Sequence, residues 1–117
     1  MIDGREHDAV VAYVRDRVDR SRFSGRDVRF LATLPDLVAL GPTAGTVVVD
    51  LARPGALDAA IALAAERGDG PRVVGFAPHV DDELRARAAD GGVEVVPRSR
   101  FFARLAEHDH VHVDLRG

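Results

Sequence analysis

Short runs of β-branched residues alternate along the chain with segments that have helical spacing. The runs 46–49, 73–76 and 93–96 are mostly apolar and each follows glycine or proline, which predicts three buried strands. The segment 27–32 has the mixed pattern of an outer strand. Strands that alternate with helices predict a parallel sheet covered by helices on both faces, and therefore an α/β fold.

The helices are predicted from apolar residues that recur three or four positions apart. Val10, Val11, Val14 and Val18 have this spacing, so the first element is predicted to be a helix with no strand before it. Four more helices are predicted over residues 35–40, 57–64, 84–89 and 100–107. Acidic residues occupy the first turn of the third of these helices, and Ser99 is predicted to cap the fourth. Both kinds of residue are favoured at helix amino termini.

Composition indicates a globular domain and excludes several kinds of chemistry. With 117 residues, 46% hydrophobic and 30% charged, the chain is predicted to form one domain over residues 1–117. It contains no cysteine, which excludes disulfides, thiolate nucleophiles and cysteine-bound zinc. The net charge is −3 without a basic run, so no nucleic-acid binding is expected. No apolar stretch is long enough for a membrane span and the first residues are too polar for a signal peptide, so we expect a cytoplasmic protein without membrane association.

The segment Val47-Val48-Val49-Asp50, with Pro54 four residues later, resembles the third strand and following loop of response-regulator receivers. The similarity in element order and spacing extends over residues 27–107. It implies a flavodoxin-like, three-layer α/β sandwich around a mostly parallel five-stranded sheet. It also implies that Asp50 stands at the position of the family's phosphoacceptor.

Several functional positions of the family differ in this chain. The hydroxyl residue at the end of the fourth strand corresponds to Ala77, and the lysine at the end of the fifth corresponds to Arg98. The family's acidic pair ends its first strand, which this sequence is predicted to lack. The alternating segment 110–115 resembles such a strand and includes Asp114. We therefore expect it to fill the first-strand position, either within the chain or swapped from a second copy.

These differences favour a pseudo-receiver, in which Asp50 is a structural remnant and the domain works by protein–protein binding. On this interpretation the chain is not an enzyme and needs no cofactor. The alternative is a working phosphoacceptor that uses Asp50, Mg²⁺ and a histidine kinase partner. A more distant alternative is a small metal- or ligand-binding protein that uses His79 or a carboxyl-terminal group of three histidines, His108, His110 and His112.

The last predicted helix supplies candidates for a docking or homodimer surface. Aromatic residues and arginines are the side chains that most often anchor interfaces. Phe101 and Phe102 are adjacent and point about 100° apart on a helix, so one is expected in the core and the other at the surface. Arg98 and Arg104 are expected beside them.

Overall fold

The computed structural model describes residues 6–23, 27–65 and 71–107. Within these ranges, five parallel strands form one sheet in the order β2-β1-β3-β4-β5. The strands are β1 (Glu6–Tyr13), β2 (Val28–Phe30), β3 (Ala44–Asp50), β4 (Arg72–Ala77) and β5 (Glu94–Pro97). The helices are α1 (Arg17–Ser21), α2 (Leu34–Leu40), α3 (Ala56–Ala64), α4 (Asp82–Asp90) and α5 (Arg98–Glu107), and a 3-10 turn (Gly41–Thr43) follows α2. This order, with helices on both faces, is the flavodoxin-like three-layer fold that the sequence predicts.

The first element is a strand, and the prediction of a helix there is wrong. Val10 to Val14 is an unbroken apolar run in which every residue is buried. Such runs are typical of strands with a sheet neighbour on each side and a helical layer on each face. β1 has those neighbours, because Val10 pairs with Val28 of β2 and with Thr46 of β3. The helical spacing of Val10, Val14 and Val18 is therefore coincidental, and Val18 is 63% exposed.

Since β1 lies between β2 and β3, the first-strand position is occupied by the amino-terminal segment. The prediction that residues 110–115 fill this position is therefore wrong. Those residues, with Asp114, lie outside the described part of the chain. The predicted strands corresponding to β2, β3, β4 and β5 are confirmed, as are the four later helices, but α5 begins at Arg98, so the prediction that Ser99 caps it is wrong.

The sheet has a separate apolar core on each face. On one face α2, α3 and α4 pack against alternate strand residues such as Val47 and Val49. On the other face, α5 and Phe23, two residues after α1, pack against Val48 and Val74. Successive strand residues point to opposite faces, so β3 contributes valines to both cores.

Aromatic rings dominate the second core. Phe101 stacks on Phe76 with ring centroids 5.0 Å apart, and Phe102 packs edge-on against Phe23 at 5.9 Å. Phe101 is fully buried and Phe102 is 6% exposed. The prediction that one of these two rings reaches the surface is therefore wrong, because Phe23 packs against Phe102 and the guanidinium groups of Arg22 and Arg98 cover its ring.

Over the described residues, no helix combines the length and apolar character that crossing a bilayer requires.

Candidate functional site

The carboxyl ends of the parallel strands meet at one edge of the sheet, which is where ligands bind in open α/β folds. A pocket of about 280 Å³ lies there. Its walls come from the loops after β1, β3 and β4 and from the first residue of α5. Three carboxylates and two guanidinium groups give it a strongly charged lining, formed by Asp16, Asp19, Asp50, Ala52, Arg53, Pro54, Pro78 and Arg98.

Asp50 is the last residue of β3 and is only 7% exposed. Its Oδ1 accepts a hydrogen bond from the backbone N–H of Ala52 at 3.1 Å. Its Oδ2 lies 3.7 Å from Nε of Arg53, whose side chain is 42% exposed. The carboxylate is thus held by its own loop, and the nearest cation is a flexible, half-solvated arginine.

The loop after Asp50 is fixed by a close contact with β4. The backbone N–H of Leu51 donates to the carbonyl of Phe76 at 2.9 Å. The Leu51 side chain lies directly over Gly75, where a β-carbon would stand 2.5 Å from Cδ1 of Leu51. Gly75 therefore allows Leu51 to cover the end of the sheet, which orients the turn that carries Asp50.

The surroundings of Asp50 make its ionised form costly. Burial raises the pKa of Asp50 above its ordinary value, and the nearby Asp19 carboxylate acts in the same direction. The Ala52 N–H, Arg53 and Arg98 oppose this rise without cancelling it. A buried acid with a raised pKa has functional potential, since active sites often contain such groups.

Asp19 and Arg98 form a two-bond ion pair at the side of the pocket. Nε of Arg98 donates to Oδ2 of Asp19 at 3.2 Å, and Nη2 of Arg98 donates to Oδ1. The Asp19 side chain is 4% exposed and that of Arg98 is 38% exposed. The hydrogen bonds that Arg98 donates to Asp19 raise the pKa of Arg98 beyond its ordinary value, so the guanidinium stays charged. This planar, bidentate geometry is the one that arginine makes best with a carboxylate.

The same arginine is stacked on an aromatic ring. The guanidinium carbon of Arg98 lies 5.4 Å from the centroid of Phe102, and that of Arg22 lies 5.1 Å from the same centroid. Arg22 also approaches Asp19, with its Nε 3.9 Å from Oδ1. Asp19 is therefore neutralised by two arginines that the Phe102 ring holds in place.

Asp16 serves α1 as its amino-terminal cap. Its Oδ1 accepts the backbone N–H of Asp19 at 3.0 Å, and this hydrogen bond lowers the pKa of the exposed Asp16 carboxyl. The cap places an ionised acid at the mouth of the pocket, across from Asp50. It also fixes the start of the helix that carries Asp19.

The pocket does not fit the Mg²⁺ that the phosphoacceptor alternative requires. Mg²⁺ needs oxygen ligands that converge in near-octahedral geometry. Both oxygens of Asp19 accept hydrogen bonds from Arg98, so a cationic side chain already occupies the place beside this carboxylate. Among the described residues, no group of three or more acidic or histidine side chains is arranged to hold a metal ion.

The structure brings together only some of the residues singled out in the sequence. Asp50 and Arg98 line the pocket. Ala77 is buried at the end of β4 opposite Pro97, while the next residue, Pro78, forms the pocket wall. His79 is exposed in the loop after β4. Arg104 is half-buried on α5, and the histidines 108, 110 and 112 lie outside the described residues.

Sequence reasoning missed Asp16 and Asp19, because both follow the strand that was taken for a helix. A signal was present in the unbroken run Val10-Val11-Ala12-Tyr13-Val14, followed at once by Arg15 and Asp16. A continuous apolar run that ends in charged residues is typical of a buried strand entering a loop. That pattern would have placed acids beside Asp50.

In comparison with known proteins, no protein-family model and no curated protein sequence matches this chain.

Proposed function

We propose that this protein is a receiver-like regulatory module that acts by binding a protein partner, without efficient phosphotransfer. The single observation that carries the proposal is the ion pair between buried Asp19 and half-buried Arg98. It joins an acid of the first helix to the cation that follows the fifth strand. In a working receiver, the lysine at the position of Arg98 is expected to pair with the phosphoryl group on the acceptor aspartate.

Electrostatics oppose phosphorylation of Asp50 in this arrangement. A phosphoryl group adds roughly one and a half to two negative charges. Asp16 and Asp19 already line the same pocket, and the hydrogen bonds of Arg98 go to Asp19. Of the two described arginines that line the pocket, Arg53 is the one beside Asp50, and its 42% exposed side chain gives the added charge only a half-solvated partner. An acceptor without a convergent cation has little to stabilise the charge that develops during transfer.

The proposal is tested by incubation with acetyl phosphate and Mg²⁺, followed by measurement of the intact mass. We expect no adduct of about 80 Da, the mass of one phosphoryl group, on the wild-type chain. The Asp50→Asn variant is the matched control, because it removes the acceptor and leaves the pocket lining otherwise unchanged. An adduct that forms on the wild-type chain and is absent from Asp50→Asn would overturn the proposal in favour of the phosphoacceptor.

The binding part of the proposal rests on surface chemistry rather than on a catalytic group. Among the described residues, the pocket holds no serine or histidine, and the exposed His79 is not part of its lining. The proposal places the protein in the cytoplasm, with which the absence of cysteine is compatible.

Sedimentation velocity over a range of concentrations shows whether the partner is a second copy. A concentration-independent monomer would direct the search to a different protein.

A further inference from the structure

Charge is distributed unequally between the two helical layers. The segments 15–23 and 98–107, which form one layer, contain seven arginines and three acids. The opposite layer, made of residues 34–40, 56–64 and 81–90, contains two arginines and six acids. A protein with a net charge of −3 therefore presents one layer with an excess of four positive charges. We call the seven arginines of that layer the arginine face: Arg15, Arg17, Arg20, Arg22, Arg98, Arg100 and Arg104.

The two segments of the arginine face form one continuous surface. Arg98 at the start of α5 is hydrogen-bonded to Asp19 of α1. Arg22, which follows α1, stacks on Phe102 of α5. These contacts join α1 to α5, so the two segments lie side by side on the same layer.

Several guanidinium groups of this face are already ordered. Arg22 is 50% exposed although its guanidinium lies over Phe102. Arg20 donates to the carbonyl of Val14 and lies 5.5 Å from the ring of Phe30. A group that is held before binding loses less entropy when a ligand arrives, so these arginines are suited to recognition.

An exposed apolar residue lies within the arginine face. Val18 is 63% exposed, and Val38 is the other large hydrophobic residue that is exposed among those described. Val18 follows exposed Arg17 on α1 and lies one helical turn before exposed Arg22, so two cations lie close to it. An apolar contact surrounded by arginines is the composition of a protein-binding surface.

We infer that the arginine face binds an acidic segment of a partner protein, with carboxylates on the arginines and one apolar side chain over Val18. This inference rests on the proposed function and names the chemistry of the partner. The chain contains arginine and no lysine, and the guanidinium fork matches a carboxylate with two parallel hydrogen bonds. Exposed Asp16 and Glu107 interrupt the positive charge of the arginine face. These acids repel a continuous phosphate backbone more than they repel a peptide with spaced acids.

The test uses a fluorescein-labelled peptide of glutamates and aspartates around one central leucine, measured by fluorescence anisotropy. The charge-reversal variant Arg17→Glu/Arg100→Glu changes two exposed arginines of the face. The matched control is Arg29→Glu/Arg85→Glu, which reverses two exposed arginines elsewhere. We expect about tenfold weaker binding for the first variant and less than about a twofold change for the control.

Two further comparisons separate the parts of the inference. Val18→Asp is expected to weaken binding as well, because it removes the apolar contact and adds a negative charge. Raising the salt from about 0.1 M to about 1 M shortens the Debye length from about 10 Å to about 3 Å, so wild-type binding should fall steeply. Circular dichroism of each variant confirms that the fold is retained.

The inference is overturned if the peptide does not bind, or if both double variants lose affinity equally. Tighter binding to a DNA duplex or to vesicles of anionic lipid would also overturn it, as would self-association that depends on the same arginines. These outcomes are independent of the mass measurement on Asp50. A failed peptide experiment with no phosphoryl adduct removes the arginine face alone, whereas an adduct removes the proposed function.

Discussion

Breaking the ion pair between Asp19 and Arg98 is the sharpest test of how the candidate site is organised. Arg98→Met removes the guanidinium and keeps a long side chain that can still contact Phe102. It leaves the Asp19 carboxylate, 4% exposed, without its two hydrogen bonds from Arg98. Asp19→Asn leaves instead an arginine that is 38% exposed and can be hydrated. The two variants therefore differ in what they leave behind.

The expected magnitudes follow from this difference in burial. Removing one partner of a fully buried pair costs about 3–5 kcal/mol. Arg98 is more than a third exposed, so solvent screening reduces this cost. We expect Arg98→Met to lower the free energy of unfolding by about 2 kcal/mol. For Asp19→Asn we expect about 1 kcal/mol, because the exposed guanidinium regains water. The Asp19→Asn/Arg98→Met double variant should cost less than the two single changes together, by about 1 kcal/mol.

Urea denaturation of the wild type, both single variants and the double variant measures this coupling as a double-mutant cycle. For a domain of this size, about 2 kcal/mol corresponds to a melting temperature lower by about 8 °C. Additivity of the single changes to within about 0.5 kcal/mol would refute the reasoning, since independent sites behave in that way. A larger loss for Asp19→Asn than for Arg98→Met would refute the argument from burial.

Three further predictions concern other parts of the same sheet edge and core. Asp50→Asn should be more stable than the wild type at about pH 7. Burial raises the pKa of Asp50, so the stability that its carboxyl supplies is present below the ordinary pKa of 3.8 and is lost as the pH rises through the raised pKa. The difference should therefore vanish at about pH 3, and a less stable Asp50→Asn at about pH 7 would contradict this. Phe101→Ala should cost about 3–5 kcal/mol in urea denaturation, whereas exposed Val18→Ala should change stability by less than about 0.5 kcal/mol; equal effects would contradict the packing described. Gly75→Ala should cost about 1–3 kcal/mol because its β-carbon meets Leu51. Adding Leu51→Ala should recover part of that loss, and strict additivity would contradict the contact.

Residues on the three apolar strands could be placed from the sequence, and those around the first strand could not. The valines of β3 are preceded by glycine and threonine and followed by a charged loop, so their local pattern and their place in the sheet agree. In β1 the local pattern is ambiguous, because Val10, Val14 and Val18 satisfy helical spacing while the unbroken run satisfies a buried strand. Neighbours in the sheet decide between these possibilities, and Val28 and Thr46 are far from Val10 along the chain. Tertiary pairing therefore overrode a local periodicity.

The wrong prediction for the first strand also explains why the candidate site could be predicted only in part. Asp50 and Arg98 were found because each follows a strand with a clear pattern. Their chemistry depends on Asp19, which is 79 residues from Arg98 and is brought to it by the placement of α1 beside α5. No spacing rule connects such residues. In the structure, the cation at the end of the fifth strand pairs with an acid of the first helix rather than with Asp50 of the third strand.

The pairing of Arg98 with Asp19 has a physical reason in the chemistry of the arginine side chain. A lysine ammonium is a compact charge that can turn toward whichever anion is present, whereas the arginine fork is suited to one planar carboxylate. With Asp19 buried on α1, the fork is satisfied within the protein and stacks on Phe102. Asp50 is then left to its backbone hydrogen bond and to a half-solvated Arg53. These contacts join α1 to α5, and that junction underlies the arginine face whether or not Asp50 carries a charge.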